Sequence, residues 1–254
     1  MLLSEPPRSP YDLHFRLFGI PIRVHPMFWV ITIVLGVGSD GVPPAQLLAW
    51  TVVVFVSVVV HELGHAFTQR YYGGRPWITL YGLGGLAACD DCDRRPLSQI
   101  LISLAGPAAG FALAGVCFAS VRLSGRQIGW AALDEIDITA MTLPLLGKLL
   151  YVEPLPSEFG NSFILQMLWV NIAWGLINLL PIYPLDGGRV AREIFTLRHP
   201  RRGIIWSLQL SMAAAISMGL FGLFEWRSLF TAIMFGYLAY SNYQTLQAYR
   251  ENRW

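Results

Sequence analysis

From Ala45 to Val60 the chain is an apolar run without a charged side chain, and its last ten residues read Thr51-Val-Val-Val-Phe-Val-Ser-Val-Val-Val60. A run of that length and polarity is stable as a helix in hydrocarbon, where backbone polar groups must be satisfied within the segment. It passes directly into His61-Glu62-Leu63-Gly64-His65. On a helix, residues four apart share a face, so His61 and His65 can point two imidazoles at one metal ion. Glu62 follows the first imidazole and can reach a water beside such an ion without being a ligand. That is the arrangement of zinc hydrolases. The plain alternative is a helix that carries two histidines and a glutamate by chance. Ionisable groups next to lipid cost free energy and mark function, which disfavours that alternative here.

Composition places the motif in a polytopic membrane protein. Of 254 residues, 54% are hydrophobic and only 13% charged, against about 25% charged in an average globular chain. The net charge of +2 and the lack of a basic tract argue against a nucleic-acid partner. The three cysteines do not make a disulfide framework. Cys89 and Cys92 form a lone Cys-x-x-Cys, open to reading as a metal or redox pair, although a reduced loop pair with no special role is the simpler expectation. Cys117 reads as a packing residue. Residues 1–25 are polar and proline-rich, lack a cleavable signal pattern, and are expected to form an N-terminal cytoplasmic segment.

The expected fold class is an all-α polytopic membrane protein with about six transmembrane helices, a short membrane-associated β-strand or hairpin, and a broken fourth helix. The spans are expected near 26–37, 45–70, 97–121, 163–180, 204–224 and 229–249. Spans one to four form a catalytic membrane core over 26–192, and spans five and six form C-terminal helices over 193–254. Arginines before span one, after spans two and four, and at the tail set the orientation, while no Lys or Arg lies between spans one and two. Both termini are then cytoplasmic, and the His-Glu motif lies toward the cytoplasmic side. The loop 122–161 is the longest excursion, and Leu143 to Val152 within it is expected to lie amphipathically on the outer surface.

Two connections do not read as ordinary loops. Trp77 to Cys89 is apolar, β-favouring at its start and glycine-rich after. Non-helical backbone at membrane depth needs a cavity or a protein cover. One reading is an edge that pairs with an extended peptide through Gly82, Leu83, Gly84, Gly85 and Leu86; the other is an interfacial connector. The second connection is Asn178-Leu-Leu-Pro-Ile-Tyr-Pro-Leu-Asp186-Gly-Gly188. Its prolines and glycines break span four and leave Asp186 in an apolar setting, as a site residue or as the cap of the next helix. Catalytic zinc takes three protein ligands and keeps one open position, and Asp186 is the most persuasive acid to join His61 and His65.

His-Glu-Leu-Gly-His together with Asn178-Leu-Leu-Pro-Ile-Tyr-Pro-Leu-Asp-Gly-Gly resembles the site-2 protease family of intramembrane zinc metalloproteases. Phe18-Gly-Ile-Pro-Ile-Arg-Val-His-Pro-Met-Phe is similar to the opening of its compact bacterial branch, without a PDZ or CBS domain. The resemblance implies one Zn2+ per chain held by His61, His65 and Asp186, with Glu62 as general base. It implies that Asn178 hydrogen-bonds substrate or the developing oxyanion. Ser103-Leu-Ala-Gly-Pro-Ala-Ala-Gly110 matches the family's glycine-proline motif, with Gly106 and Pro107 in place and Gly110 where asparagine is common; its expected role is close helix packing. The implied setting is the bacterial inner membrane, and the implied substrate is a transmembrane protein whose helix is unwound to an extended strand. The substrate's identity and the oligomeric state stay open.

Other polar residues read more plainly. Asn171 is expected to make an interhelical hydrogen bond, and His14 and His199 to lie on the cytoplasmic surface. His25 is undecided between an interfacial and a gating role. The competing functional readings are a metal-binding membrane transporter and a non-catalytic pseudo-protease that binds helices. The transporter has no use for a non-ligating glutamate beside the first histidine.

Overall fold

The computed structural model describes residues 6–37, 42–82, 84–131, 141–145 and 148–251. They divide into two compact units, one made of Met1–Cys92 and Gly106–Gly175, the other of Asp93–Ala105 and Leu176–Trp254.

The first unit opens with a hairpin, β1 (Leu13–Leu17) and β2 (Ile20–Val24). Phe18 and Gly19 make the two-residue turn with φ of 51° and 80°, the left-handed pair that matches strand twist. The apolar helix α1 (Pro26–Val37) and the long helix α2 (Pro44–Tyr71) then form a crossover to β3 (Arg75–Tyr81), which pairs parallel to β2. β4 (Gly84–Asp90) returns antiparallel to β3, giving a four-stranded sheet in the order β1-β2-β3-β4. Alternation along the strands turns Ile20, Ile22, Val24, Ile78, Leu80 and Ala87 onto one face. That face buries against Val58, Val59, Leu63 and Ala66 of α2.

α2 starts with Pro44 in its first turn, where the missing N–H is no loss. It closes on Gly73, at φ 85°, and on Gly74, whose N–H donates to the Gln69 carbonyl at 3.0 Å. The unit continues with most of α3 (Pro96–Leu123), a second, three-stranded sheet in the order β5-β7-β6, and most of α4 (Glu158–Asn178). Those strands are β5 (Ile128–Ala131), β6 (Met141–Leu145) and β7 (Lys148–Val152). Of the stretch Leu143 to Val152, expected to lie along the surface, residues 143–145 fall in β6 and residues 148–152 in β7, while 146 and 147 lie outside the described residues.

In the second unit α4 ends at Asn178, and the chain turns through residues 179–185 with a cis Tyr183–Pro184 peptide. It then enters α5 (Asp186–Arg198), α6 (Gly203–Phe224) and α7 (Leu229–Glu251). Ile182, Ala215, Phe235, Leu238 and Ala239 form its core.

The chain is an integral membrane protein that is mostly helical. Among the described residues four helices, α2, α3, α4 and α6, are long and apolar enough to cross a bilayer. The expected count of about six is not confirmed there, for two physical reasons. α1 has 12 residues, which at about 1.5 Å each span roughly 18 Å of an approximately 30 Å hydrocarbon core. α7 is long enough, but its second half carries Ser241, Asn242, Gln244, Thr245 and Gln247. The all-α expectation also needs correction. The hairpin read from residues 77–89 is present, but it is the right half of a sheet whose left half comes from the N-terminal segment.

Candidate metal centre and active site

His61, Glu62 and His65 lie on one stretch of α2 and are 5%, 6% and 5% exposed. The two imidazole rings meet edge to face, with centroids 4.9 Å apart. Their Nε2 atoms converge to 3.2 Å. A tetrahedral zinc with Zn–N of about 2.0–2.1 Å would hold two nitrogens roughly 3.3 Å apart. The helical spacing brings the two nitrogens to a separation compatible with one such ion.

Two glycines from other elements make room for these side chains. A Cβ on Gly106 of α3 would stand 2.8 Å from His61 Nε2 and closer still to His65 Nε2. Even a methyl group there would occupy the space in front of the imidazole nitrogens. The Gly106-Pro107 motif thus borders the histidines themselves, beyond the helix packing expected of it. At Gly110 a Cβ would sit 3.6 Å from the Asn171 carbonyl and amide oxygens, an ordinary contact. Pro107 lies inside α3 and removes a helical donor two turns from the start of the apolar stretch.

Gly85 of β4 is the second. A Cβ there would stand 2.8 Å from Glu62 Oε1 and Cδ, so the carboxylate rests on strand backbone. β4 is the outer strand of its sheet. Of the other residues expected along this edge, Gly84 would bring a Cβ to 3.5 Å from the Trp174 ring, and Gly82 adopts φ 51° at the turn. Leu86 is half-buried, and Leu83 lies outside the described residues.

In the second unit Asp186 and Asn178 are buried, 5% and 8% exposed. Asp186 occupies the first turn of α5, and Leu185 holds the cap position, with no side-chain cap hydrogen bond. Asp186 is therefore not the helix cap that its sequence position allows. Gly187 and Gly188 are packed on the backbone of the preceding turn; a Cβ on Gly187 would come within 2.6 Å of the Leu180 carbonyl oxygen. Ser211 of α6 accepts from the Tyr183 N–H at 3.0 Å, and Asn242 of α7 donates to the Tyr183 carbonyl at 2.6 Å. The break in the fourth helix is thus braced from two later helices.

Among the described residues, His61, His65 and Asp186 are the group of three that could hold a metal ion, each with one ligand atom and each buried. Two imidazoles and one carboxylate are a donor set that zinc takes, with a fourth position left for water. The expected Asn171 contact is present: its amide donates to Ser57 Oγ of α2 at 2.9 Å. Ser211, Asn242 and Gln69, whose amide donates to the Ala87 carbonyl of β4 at 3.1 Å, were not singled out from sequence. Their common signal is a polar side chain on an apolar helix, which membrane interiors tolerate when it is bonded.

Known proteins are similar to this chain. The profile of peptidase family M50 matches residues 49–220. A zinc metalloprotease of Methanocaldococcus jannaschii is 30% identical over 217 residues, 82% of this chain and 53% of its own length. Stage IV sporulation protein FB of Bacillus subtilis is 24% identical over 208 residues, 81% of this chain and 58% of its own. The chain spans about half the length of the curated relatives it matches. The structure of a site-2 protease from Methanocaldococcus jannaschii superposes with a TM-score of 0.56 at 24% identity, covering 93% of this chain and 95% of that one. At that identity the likeness is one of fold.

Proposed function

We propose that this chain, which belongs to peptidase family M50, is an intramembrane zinc metalloprotease that cleaves membrane-protein substrates within or beside their transmembrane segments. The observation that carries the reading is the contact between Glu62 and Gly85. It sets a buried, non-ligating carboxylate against an outer strand, next in sequence to the first of two convergent imidazoles.

In this reading His61, His65 and Asp186 would hold one zinc ion, which would supply Lewis acidity to the scissile carbonyl and to a water. Glu62 accepts the proton of the attacking water and returns it to the leaving amine. Asn178 donates to the oxygen on which negative charge develops. The substrate helix unwinds locally and adds as a strand to β4, through residues 82–86. Gly106 keeps the space before the imidazoles open. The arginine-rich loops support an orientation with both termini and the site on the cytoplasmic side, and the membrane in this reading is a bacterial inner membrane.

The test is cleavage of a reconstituted transmembrane substrate by Glu62→Gln. The variant should keep stoichiometric zinc and lose about 10²–10⁴-fold in rate, the usual worth of a positioned acid–base group. Wild-type cleavage by that variant would remove Glu62 from the mechanism. A wild-type protein that binds zinc and cleaves nothing would return the balance to a transporter or a pseudo-protease.

A further inference from the structure

The proposed mechanism makes no use of Cys89 and Cys92, whose sulfurs the structure brings close enough to bridge. Their Cα atoms are 5.9 Å apart, within the range a bridge requires. The position of the bridge on β4 is informative. Side chains alternate along a strand, so residues 85, 87 and 89 share a face. All three meet α2 or the turn that leaves it. Gly85 lies against the Glu62 carboxylate. The Ala87 carbonyl accepts from Gln69. Cys89 and Cys92 lie against Gly74, where a Cβ would stand 2.8 Å and 3.1 Å from their sulfurs. The cysteine pair is the outermost of three contacts along β4, two with α2 and this one with the turn that leaves it, and the innermost is with the proposed general base.

The bridge is also reachable. Both cysteines are half-buried, and Asp90 and Asp91 between them are exposed. Asp91 has φ 58° and makes the tight turn that brings the two sulfurs together.

We propose that Cys89 and Cys92 are a thiol–disulfide exchange site for a dithiol reductant, and that its redox state sets how firmly β4 is held beside Glu62. One thiolate of the reductant attacks a bridge sulfur, the S–S bond breaks, and a mixed disulfide forms. The second thiol of the reductant resolves it. The bridge gains two electrons and two protons, and the dithiol leaves as a disulfide. Reduction removes the covalent tie between residues 89 and 92 and frees the turn, while the Gln69 bond and the Gly85 contact remain. The strand edge is loosened, not lost. On the orientation proposed above the pair faces the cytosol, where a protein disulfide is transient and sensing, not a permanent staple. Oxidation then tightens the edge, and reduction relaxes it.

The effect on cleavage rests on the protease reading, whereas the exchange site itself can be measured without activity. The full chain in lipid nanodiscs is equilibrated over a range of reduced-to-oxidised dithiothreitol ratios. Free thiols are trapped with a maleimide and counted by intact mass. Amide hydrogen exchange of residues 84–90 is followed in each form. The expected result is a single transition in which two thiols appear together above the constant thiol of Cys117. β4 amides then exchange several-fold faster when reduced, and cleavage slows several-fold. A Cys89→Ser/Cys92→Ser variant should stay at the reduced values at every ratio. Absence of the bridge at all ratios, or equal β4 exchange in both forms, would overturn the proposal. The expected titration and exchange without cleavage by either form would support the site and count against the protease reading.

Discussion

Gly106 shows how much of an active site can depend on one missing methyl group. Its Cβ position is 2.8 Å from His61 Nε2 and nearer to His65 Nε2, so a larger residue competes with whatever the imidazoles bind. Gly106→Ala should lower zinc occupancy, and Gly106→Val should abolish it, while the α3 helix persists. Metal content of the purified variants, read beside far-ultraviolet circular dichroism, checks this. Full zinc in the valine variant would show that the histidines bind on another side. Gly85 makes the matching allowance for Glu62. In both cases the residue matters for the side chain it lacks, and the side chain it admits comes from a distant part of the sequence.

At the scale of elements, α3 begins beside a polar cluster that tethers its first turn. Asp93 accepts from the Arg95 side chain at 2.8 Å, the Arg95 N–H at 2.9 Å and Ser98 Oγ at 2.8 Å. Its carbonyl accepts from Gln99. The hydrogen bonds from Arg95, side chain first and backbone second, with that from Ser98, hold the Asp93 carboxyl well below the usual carboxylate range. A carboxyl whose folded pKa is depressed contributes stability above its unfolded value, near about 3.9, and loses it as pH falls through the folded value. The thermal midpoint of Asp93→Asn should therefore lie below wild type by a constant amount between pH 5 and 8 (a window set by that unfolded value). The two should converge only in strong acid. Convergence already at neutral pH would mean the charge contributes nothing. The break between α4 and α5 follows a different logic. Its backbone is held by Ser211 and Asn242 from helices that come later in the chain, so its conformation is not a local property of its prolines and glycines.

For the whole molecule, the orientation is the property with the largest consequence, because it decides which compartment sees the site and the cysteine pair. With native cysteines replaced by serine, a single cysteine at Ser9 should react with an impermeant maleimide only after the membrane is opened, and one at Ser124 in intact cells. The reverse pattern would place the site on the other face. Among the described residues four helices are long and apolar enough to span, which is enough to anchor the chain; the four-stranded sheet is a part of the fold that is not simply membrane-crossing. The sheet is where sequence patterning was least informative. β1 and β2 are five residues each, and strands that short carry little periodic signal. Their partner β3 follows after the α1–α2 crossover, so the pairing becomes evident only when the chain is folded.

Sequence alone determined the chemistry that short range can specify. The helical spacing of His61 and His65, the adjacency of Glu62, the charge-free run before them, and the proline-glycine break before Asp186 all act within a few residues, where backbone geometry leaves little choice. Tertiary structure decided what lies opposite. It set Gly106 against the imidazoles, Gly85 against Glu62, and Cys89 with Cys92 on Gly74. It also built one sheet from the N-terminal segment and the glycine-rich hairpin. The physical reason is that close approach depends on two surfaces at once. A sequence states which residue is small, and only the packed chain shows which side chain that smallness admits.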